Sequence, residues 1–260
     1  MAKFNKLAGK HVLVIGGSKG IGLGVVEASL EAGARVTLSG SSAKSTDEAL
    51  AQVKASYSSG AVLGIPCDLG KDTVEQDLDA LFAQAKAAQG QAIDHVVLTA
   101  GDPLAVMPVP DITLEKIRRA ARLRFEVPVL LGKVAFQHLS KTRDCSLTIT
   151  TGGIADHPAP GWSVVAFTGA GLTGLARNLA LDMKPIRVNA VEPGAVDTPL
   201  WTAMGMSEER KAAEMKAWGE RLPTGQVGQV HDVAEAYIYL MKDGNCTGEI
   251  LKTRGGGHLI

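Results

Sequence analysis

The stretch Val12 to Gly24, Val-Leu-Val-Ile-Gly-Gly-Ser-Lys-Gly-Ile-Gly-Leu-Gly, constrains the fold of this chain more than any other segment. Val12 to Ile15 is short, apolar and rich in β-branched residues, the pattern of a parallel strand buried on both faces. Glycines crowd the next positions, and Val25, Val26, Ala28 and Leu30 then read as a helix. A strand that turns through glycine into a helix N-terminus makes an anion site. Free backbone N–H groups and the helix dipole point at a phosphate, and the missing side chains let it come close. Gly16, Gly20 and Gly22 have the spacing Gly-x3-Gly-x-Gly, one residue longer than the commonest dinucleotide fingerprint. An ordinary strand-to-helix turn has a similar composition, but here the strand–helix alternation continues along the whole chain.

The 260 residues suffice for one large α/β domain. A formal net charge of +0 offers no basic surface for nucleic acid or an anionic membrane. No apolar run reads as a bilayer span, and Met1 to Lys10 lack a signal-peptide hydrophobic region. Cys67, Cys145 and Cys246 lie far apart without metal-type spacing, as buried thiols of a reducing compartment do. These features predict a soluble, cytoplasmic protein that acts on a small molecule and holds no metal.

Residues 35–39 read as the second strand, and the residues just after it bear on the cofactor. An acidic residue there would bind the adenosine ribose hydroxyls and repel a 2′-phosphate. The chain instead has Ser39-Gly-Ser-Ser-Ala-Lys44, and Lys19 adds a cation inside the glycine loop. The expected cofactor is therefore NADP(H), with Ser41, Ser42 and Lys44 at the 2′-phosphate. The plainer alternative makes Lys44 a solvated residue and Ser41 and Ser42 caps of the next helix. Residues 61–65 read as the third strand, with Cys67-Asp-Leu69 at its carboxyl end. Asp68 is placed either to accept from an adenine amino group or to cap a helix beginning near Asp72. Val74, Leu78, Leu81 and Phe82 recur at helical spacing. Residues 93–98 read as the fourth strand, ending in Thr99-Ala-Gly101, with His95 a packed or surface strand residue.

The glycine loop, Cys67-Asp-Leu69, Thr99-Ala-Gly101 and Arg187-Val-Asn-Ala-Val-Glu-Pro-Gly-Ala-Val-Asp-Thr198 occur in an order that resembles the short-chain dehydrogenase/reductase family, from about Lys6 to His258. The resemblance implies a single doubly wound Rossmann-type α/β domain over 1–260, with a substrate lid around 199–225. It implies cofactor contacts at Gly16, Ser18, Lys19, Gly20, Ile21, Gly22, Asp68, Leu69, Ala100 and Gly101. Pro193, Gly194, Val196 and Thr198 would lie over the nicotinamide and its phosphates. Homodimers or homotetramers are also implied.

The family's catalytic pattern is broken. Its members use a Tyr-x3-Lys pair as proton donor and pKa-lowering partner. Aligning Gly171-Leu-Thr-Gly-Leu175 with the family helix puts Val165 at the tyrosine position and Gly169 at the lysine position. Tyr57, Tyr237 and Tyr239 all lie far from this helix in sequence. Leu98 or Thr99 replaces one asparagine, the catalytic asparagine is replaced near Arg124, and only a hydroxyl at Thr151 (or Thr150) survives.

What remains resembles an atypical subgroup, the fungal reductase/Diels–Alderases of malbrancheamide- and paraherquamide-type indole alkaloids. The features carrying it are the tetrad loss, His157-Pro-Ala-Pro-Gly-Trp162 and Arg124. That resemblance implies hydride delivery from NADPH to a cationic iminium-type substrate, which needs no proton donor, and a pocket that shapes the product for intramolecular cycloaddition. Arg124 and Thr151 would orient substrate or nicotinamide, and Trp162 would form an apolar wall. The motif's second position is an aspartate in those enzymes and Ala159 here; Asp156 is the nearest substitute. Plainer readings place Arg124 on a solvated face with Arg118, Arg119 and Arg122, and Trp162 in a core or interface. His157 reads as exposed, and His138 and His231 as helix residues. Met204, Met206, Met215 and Trp218 over 207–218 suit an adaptable lid or simple packing. Residues 233–241 and 248–252 read as the last helix and strand. Two other functions stay open: a non-redox cyclase with NADP as a fixed element, and a catalytically silent nucleotide-binding protein.

Overall fold

Every residue of the first strand, β1 (His11–Ile15), is buried. Val12 and Val14 face one hydrophobic cluster, while Leu13 and Ile15 face another. That is the period-two consequence of a strand covered on both sides. The computed structural model describes residues 3–58 and 60–260; Met1 and Ala2, where the N-terminal reading begins, lie outside them. Within the described residues the order is β1, α1 (Gly20–Glu31), β2 (Arg35–Ser39), α2 (Ala43–Ser56), β3 (Val62–Gly64), α3 (Val74–Gln89) and β4 (His95–Leu98). Next come α4 (Leu114–Ala121), α5 (Val127–His138), β5 (Ser146–Thr150), α6 (Ser163–Asp182) and β6 (Arg187–Pro193). The last are α7 (Leu200–Ala203), α8 (Glu208–Arg221), α9 (Val230–Lys242) and β7 (Ile250–Thr253).

These strands form one parallel sheet in the order β3-β2-β1-β4-β5-β6-β7. The chain reverses direction of travel between β1 and β4, and ligands of such sheets bind outside the carboxyl ends at that switch point. Register brings those ends level. Ile15 pairs with Ser39 on one side and with Leu98 on the other, and Thr150 pairs with Val191. The expected doubly wound α/β architecture is the observed one.

Several boundaries differ, each for a local reason. β4 starts at His95 because the Asp94 carboxylate takes the His11 N–H at 2.9 Å and the Lys10 ammonium at 2.9 Å. Asp68 caps no helix; its Oδ1 accepts the Gly70 N–H at 3.0 Å, and Thr73 stands at the start of α3. Gly248, at φ +75, turns the chain ahead of β7 and delays that strand. Between α4 and α5, residues 122–126 form a π-helical turn in which the Val127 N–H reaches back to the Arg122 carbonyl. Pro128 comes at once after it, with no N–H to continue the ordinary ladder. α6 corrects the expectation that nothing here is long enough to cross a bilayer. Its 20 residues include an 18-residue stretch of mean hydropathy 1.3 and pass by length and composition. Yet Val165, Thr168, Gly169, Leu172 and Ala176 form its buried face, as expected of an amphipathic helix covering a sheet.

His95 is 2 % exposed, with Nδ1 2.9 Å from Ser146 Oγ. Burial pushes its imidazole down from 6.5 to about 3. The folded state thus holds it neutral where the unfolded chain takes up a proton. Its contribution is complete above the unfolded pKa and is lost as pH falls from 6.5 towards 3. Urea unfolding from pH 7 to 4 should show this as a slope approaching about 1.4 kcal/mol per pH unit for that one proton. The slope should become shallower in His95→Asn; an unchanged slope would remove His95 from the acid sensitivity.

Candidate functional site

A cavity of about 920 Å³ runs along the carboxyl ends of the strands, from the glycine loop to α8. Its floor is set by backbone contact. Gly16 has φ +93, and a Cβ there would lie 2.3 Å from the Ala100 nitrogen. A Cβ on Gly22 would lie 2.1 Å from the Gly16 oxygen and 2.4 Å from Thr99 Oγ1. Only glycine permits this seating of the α1 N-terminus against the end of β4. Lys19 occupies the cap position of α1 without capping it, and no acidic side chain stands in the first turn. The N–H groups of the first turn therefore face the cavity without a side-chain partner.

Gly16, Ser18, Lys19, Gly20, Ile21 and Gly22 all line this end, as do Asp68, Leu69, Ala100 and Gly101. Pro193, Gly194, Val196 and Thr198 close over it from the end of β6. At the end of β2, Ser39 and Ser41 line the cavity, and the buried Ser39 Oγ has no partner. Ser42 and Lys44 correct the sequence reading, for neither lines the cavity. The Ser42 hydroxyl accepts the Ser45 N–H at 3.2 Å in a reciprocal cap of α2. Lys44 is 85 % exposed and 3.9 Å from Glu48, one turn along the same helix. Ser45, which the reading passed over, does line the cavity.

At the other end Val165 and Gly169, the positions to which the sequence reading assigned the family's tyrosine and lysine, form part of the wall. The surviving hydroxyls are committed. Thr151 Oγ1 donates to the Gly169 carbonyl at 2.8 Å, so it offers lone pairs and no free proton. Thr150 Oγ1 donates to the Leu98 carbonyl at 2.7 Å and lies 2.7 Å from the Tyr237 hydroxyl. Tyr237 is fully buried, and desolvation raises its phenol well above the ordinary tyrosine range. It keeps its proton and stands behind the cavity wall.

Arg124 and Arg122 share the π-helical turn but part ways: Arg122 pairs with Asp72 at 2.8 Å, while Arg118 and Arg119 on α4 are exposed. The Arg124 guanidinium lines the cavity beside Gly101, donating to the Asp102 carbonyl at 2.6 Å and lying 3.1 Å from its Oδ1. Asp102 was missed by the sequence reading. Its only signal was a carboxylate directly after Ala100-Gly101.

Trp162 lines the cavity at the start of α6 and packs on a cluster of Trp201, Met215 and Val227, which Met204, Met206 and Trp218 join. Trp201 and Trp218 meet edge to face at 5.0 Å, and Trp201 Nε1 donates to the Val196 carbonyl at 2.8 Å. Lys211 reaches Asp197 at 2.6 Å and ties α8 to the loop after β6. The methionines therefore pack behind the tryptophans, and none of Met204, Met206 and Met215 lines the cavity itself. His157 and Ala159 line the rim. Asp156 does not replace the motif's aspartate. Bonds from Arg254 and Lys252 hold its carboxyl at about 2, and it does not line the cavity. His138 pairs with Asp79 at 2.7 Å and His231 is exposed, both away from the cavity.

The family of SDR-like Rossmann domains matches residues 3–260. The short-chain dehydrogenase/reductase fsr5 of Gibberella fujikuroi is 41% identical over 263 residues, covering 97% of this chain and 96% of that protein. The short-chain dehydrogenase/reductase malC of Malbranchea aurantiaca is 40% identical over 256 residues, covering 96% and 95%. The solved structure of the MalC reductase/Diels–Alderase superposes with a TM-score of 0.90 at 39% identity, over 98% of this chain and 99% of that one. An NADPH-bound short chain oxidoreductase from Pseudomonas aeruginosa, described as containing an atypical catalytic center, shares the fold at a TM-score of 0.84 and 22% identity, over 95% and 96% of the two chains. The glycine loop, the sheet order and these matches lead to one conclusion: the chain belongs to the short-chain dehydrogenase/reductase family.

Proposed function

We propose that this protein is an NADPH-dependent reductase of specialised metabolism whose substrate presents an activated, iminium-type carbon–nitrogen bond. The observation that carries the reading is the proton inventory of the cavity. Val165 and Gly169 stand where a ketoreductase needs its acid, and the hydroxyl protons of Thr151 and Thr150 are committed to carbonyls. His157 and His258 line only the exposed rim. A ketone accepting hydride becomes an alkoxide and needs a proton; an iminium becomes a neutral amine and needs none.

The residues present fit a dinucleotide. The close seating of Gly16 and Gly22 is the cradle a pyrophosphate uses, and the unpartnered Ser39 Oγ lies at the end of β2 where the adenosine ribose would rest. The sequence Ser39-Gly-Ser41 has no carboxylate to repel a 2′-phosphate, and with Lys44 directed away, Lys19 is the cation for it. The bound nicotinamide would supply the hydride. Asp102 fixes the Arg124 guanidinium and offsets its charge, which lowers its repulsion of a cationic substrate. Trp162 offers the flat π face that a substrate cation prefers when no carboxylate stands at Ala159. The apolar wall of Trp162, Trp218 and Leu222 suits a folded polycyclic product, which supports an added role in templating an intramolecular cycloaddition.

Calorimetric titration should give NADPH at least about tenfold tighter binding than NADH, the scale of one ion pair to phosphate. Lys19→Ala should reduce that preference and Lys44→Ala should leave it. NADPH oxidation with N-methyl-3,4-dihydroisoquinolinium as acceptor tests the chemistry. Trp162→Ala should raise KM by about tenfold, and Ala159→Asp should lower it. Cofactor binding without turnover of any imine, iminium or carbonyl would sink the reductase reading.

A further inference from the structure

The loop from Gly153 to Trp162 carries the substrate-side wall, yet its centre, residues 156–160, is exposed and contains two prolines. Something outside it must fix its position. At the loop's far end the Gly161 carbonyl accepts the Met107 N–H at 2.8 Å; at its near end the fastening is a charge cluster at the carboxyl ends of β6 and β7. Lys252 and Arg254 are two residues apart at the end of β7, so they project from the same face. Both reach Asp156: Lys252 Nζ at 2.5 Å from Oδ2, Arg254 Nη1 at 2.7 Å from Oδ1 and Nη2 at 2.9 Å from Oδ2.

Arg254 is itself immovable. Its side chain is 4 % exposed and pairs with Glu192, which is 2 % exposed on β6, where Glu192 and Lys252 are register partners. Gly194 makes room for it: a Cβ there would lie only 3.1 Å from the Arg254 Cα, whereas one on Gly153 would make ordinary contact at 3.5 Å from Nε. Thus Glu192 anchors Arg254, Arg254 and Lys252 hold Asp156, and Asp156 stands directly before His157. The two carboxylates and two cations balance, so the cluster presents no net charge to a ligand.

We infer that Asp156 is a positioning residue: clasped by Arg254 and Lys252, it holds the His157–Trp162 wall against the substrate space and so sets substrate affinity. The inference rests on the reductase reading for its kinetic consequence, but not for its structural one. A monodentate pair on a surface loop would contribute little. Here the arginine fork takes both carboxylate oxygens and cannot swing away, which is the geometry that gives direction as well as attraction.

The experiment compares the full-length protein, loaded with NADPH, with Asp156→Asn, Asp156→Glu and Lys252→Met. Arg254 is left alone, because its loss would strand the buried Glu192. Hydrogen exchange over residues 153–162 should speed up by about tenfold in Asp156→Asn, while residues 11–31 of the cofactor loop exchange as before. KM for N-methyl-3,4-dihydroisoquinolinium should rise by about tenfold with kcat within about threefold, since the wall binds substrate and does not react. Lys252→Met should move both in the same direction by less, and Asp156→Glu should restore part of each. Unchanged exchange in Asp156→Asn would overturn the clasp. So would a matching loss of NADPH affinity and of protection in 11–31, because the effect would then be global. If the wild-type protein turns over no such acceptor, the reductase reading fails while the exchange comparison still decides the clasp.

Discussion

The close approach of the glycine loop to the end of β4 is the contact on which the site depends. Gly16 and Gly22 bring α1 down onto Thr99 and Ala100 so closely that a single methyl group would collide with backbone. That contact is possible because the parallel register ends β2, β1 and β4 at the same level, at Ser39, Ile15 and Leu98. Three loops then leave the sheet together, and the cavity is the space between them. The contact also places the helix N-terminus at its wall, so geometry and electrostatics have one origin.

The other end of the cavity is organised differently, by charged side chains from distant parts of the chain. Arg124 is aimed by a π-helical turn and held by Asp102; the loop before α6 is held by Arg254 and Lys252. In both places a carboxylate beside the cavity is already engaged by a protein cation. An apolar cluster built on three tryptophans supplies the remaining wall. The glycine-loop end of the cavity is thus fixed by backbone, and the far end by ion pairs and aromatic packing.

This division explains what could be read in advance. β1 was legible to within one residue because a strand covered on both faces is apolar along its length, β2 matched its reading over 35–39, and α3 was legible because Val74, Leu78, Leu81 and Phe82 repeat at helical spacing. The glycine loop was legible because close backbone approach demands residues without a side chain at Gly16 and Gly22, whereas Asp68, Ala100 and Gly101 came from the family resemblance and are found lining the same cavity. Lys44 was misjudged because proximity in sequence says nothing of side-chain direction: one turn into α2 it points to solvent and Glu48. Asp102, Glu192 and Arg254 were invisible because their partners are brought together only by the fold. Asp156 looked like a free carboxylate for the same reason.

The Thr151–Gly169 hydrogen bond has a consequence for the history open to this site. The acceptor is a main-chain carbonyl, so it persists whatever side chain occupies position 169. A tyrosine gained alone at position 165 would keep a pKa of about 10 and serve poorly as an acid. A lysine gained alone at position 169 would bring a desolvated charge with no phenol to assist. Neither first step is rewarded, and the hydroxyl that would complete the set is already bound. A site so arranged, once without a proton-donating pair, regains one only when both substitutions arrive together.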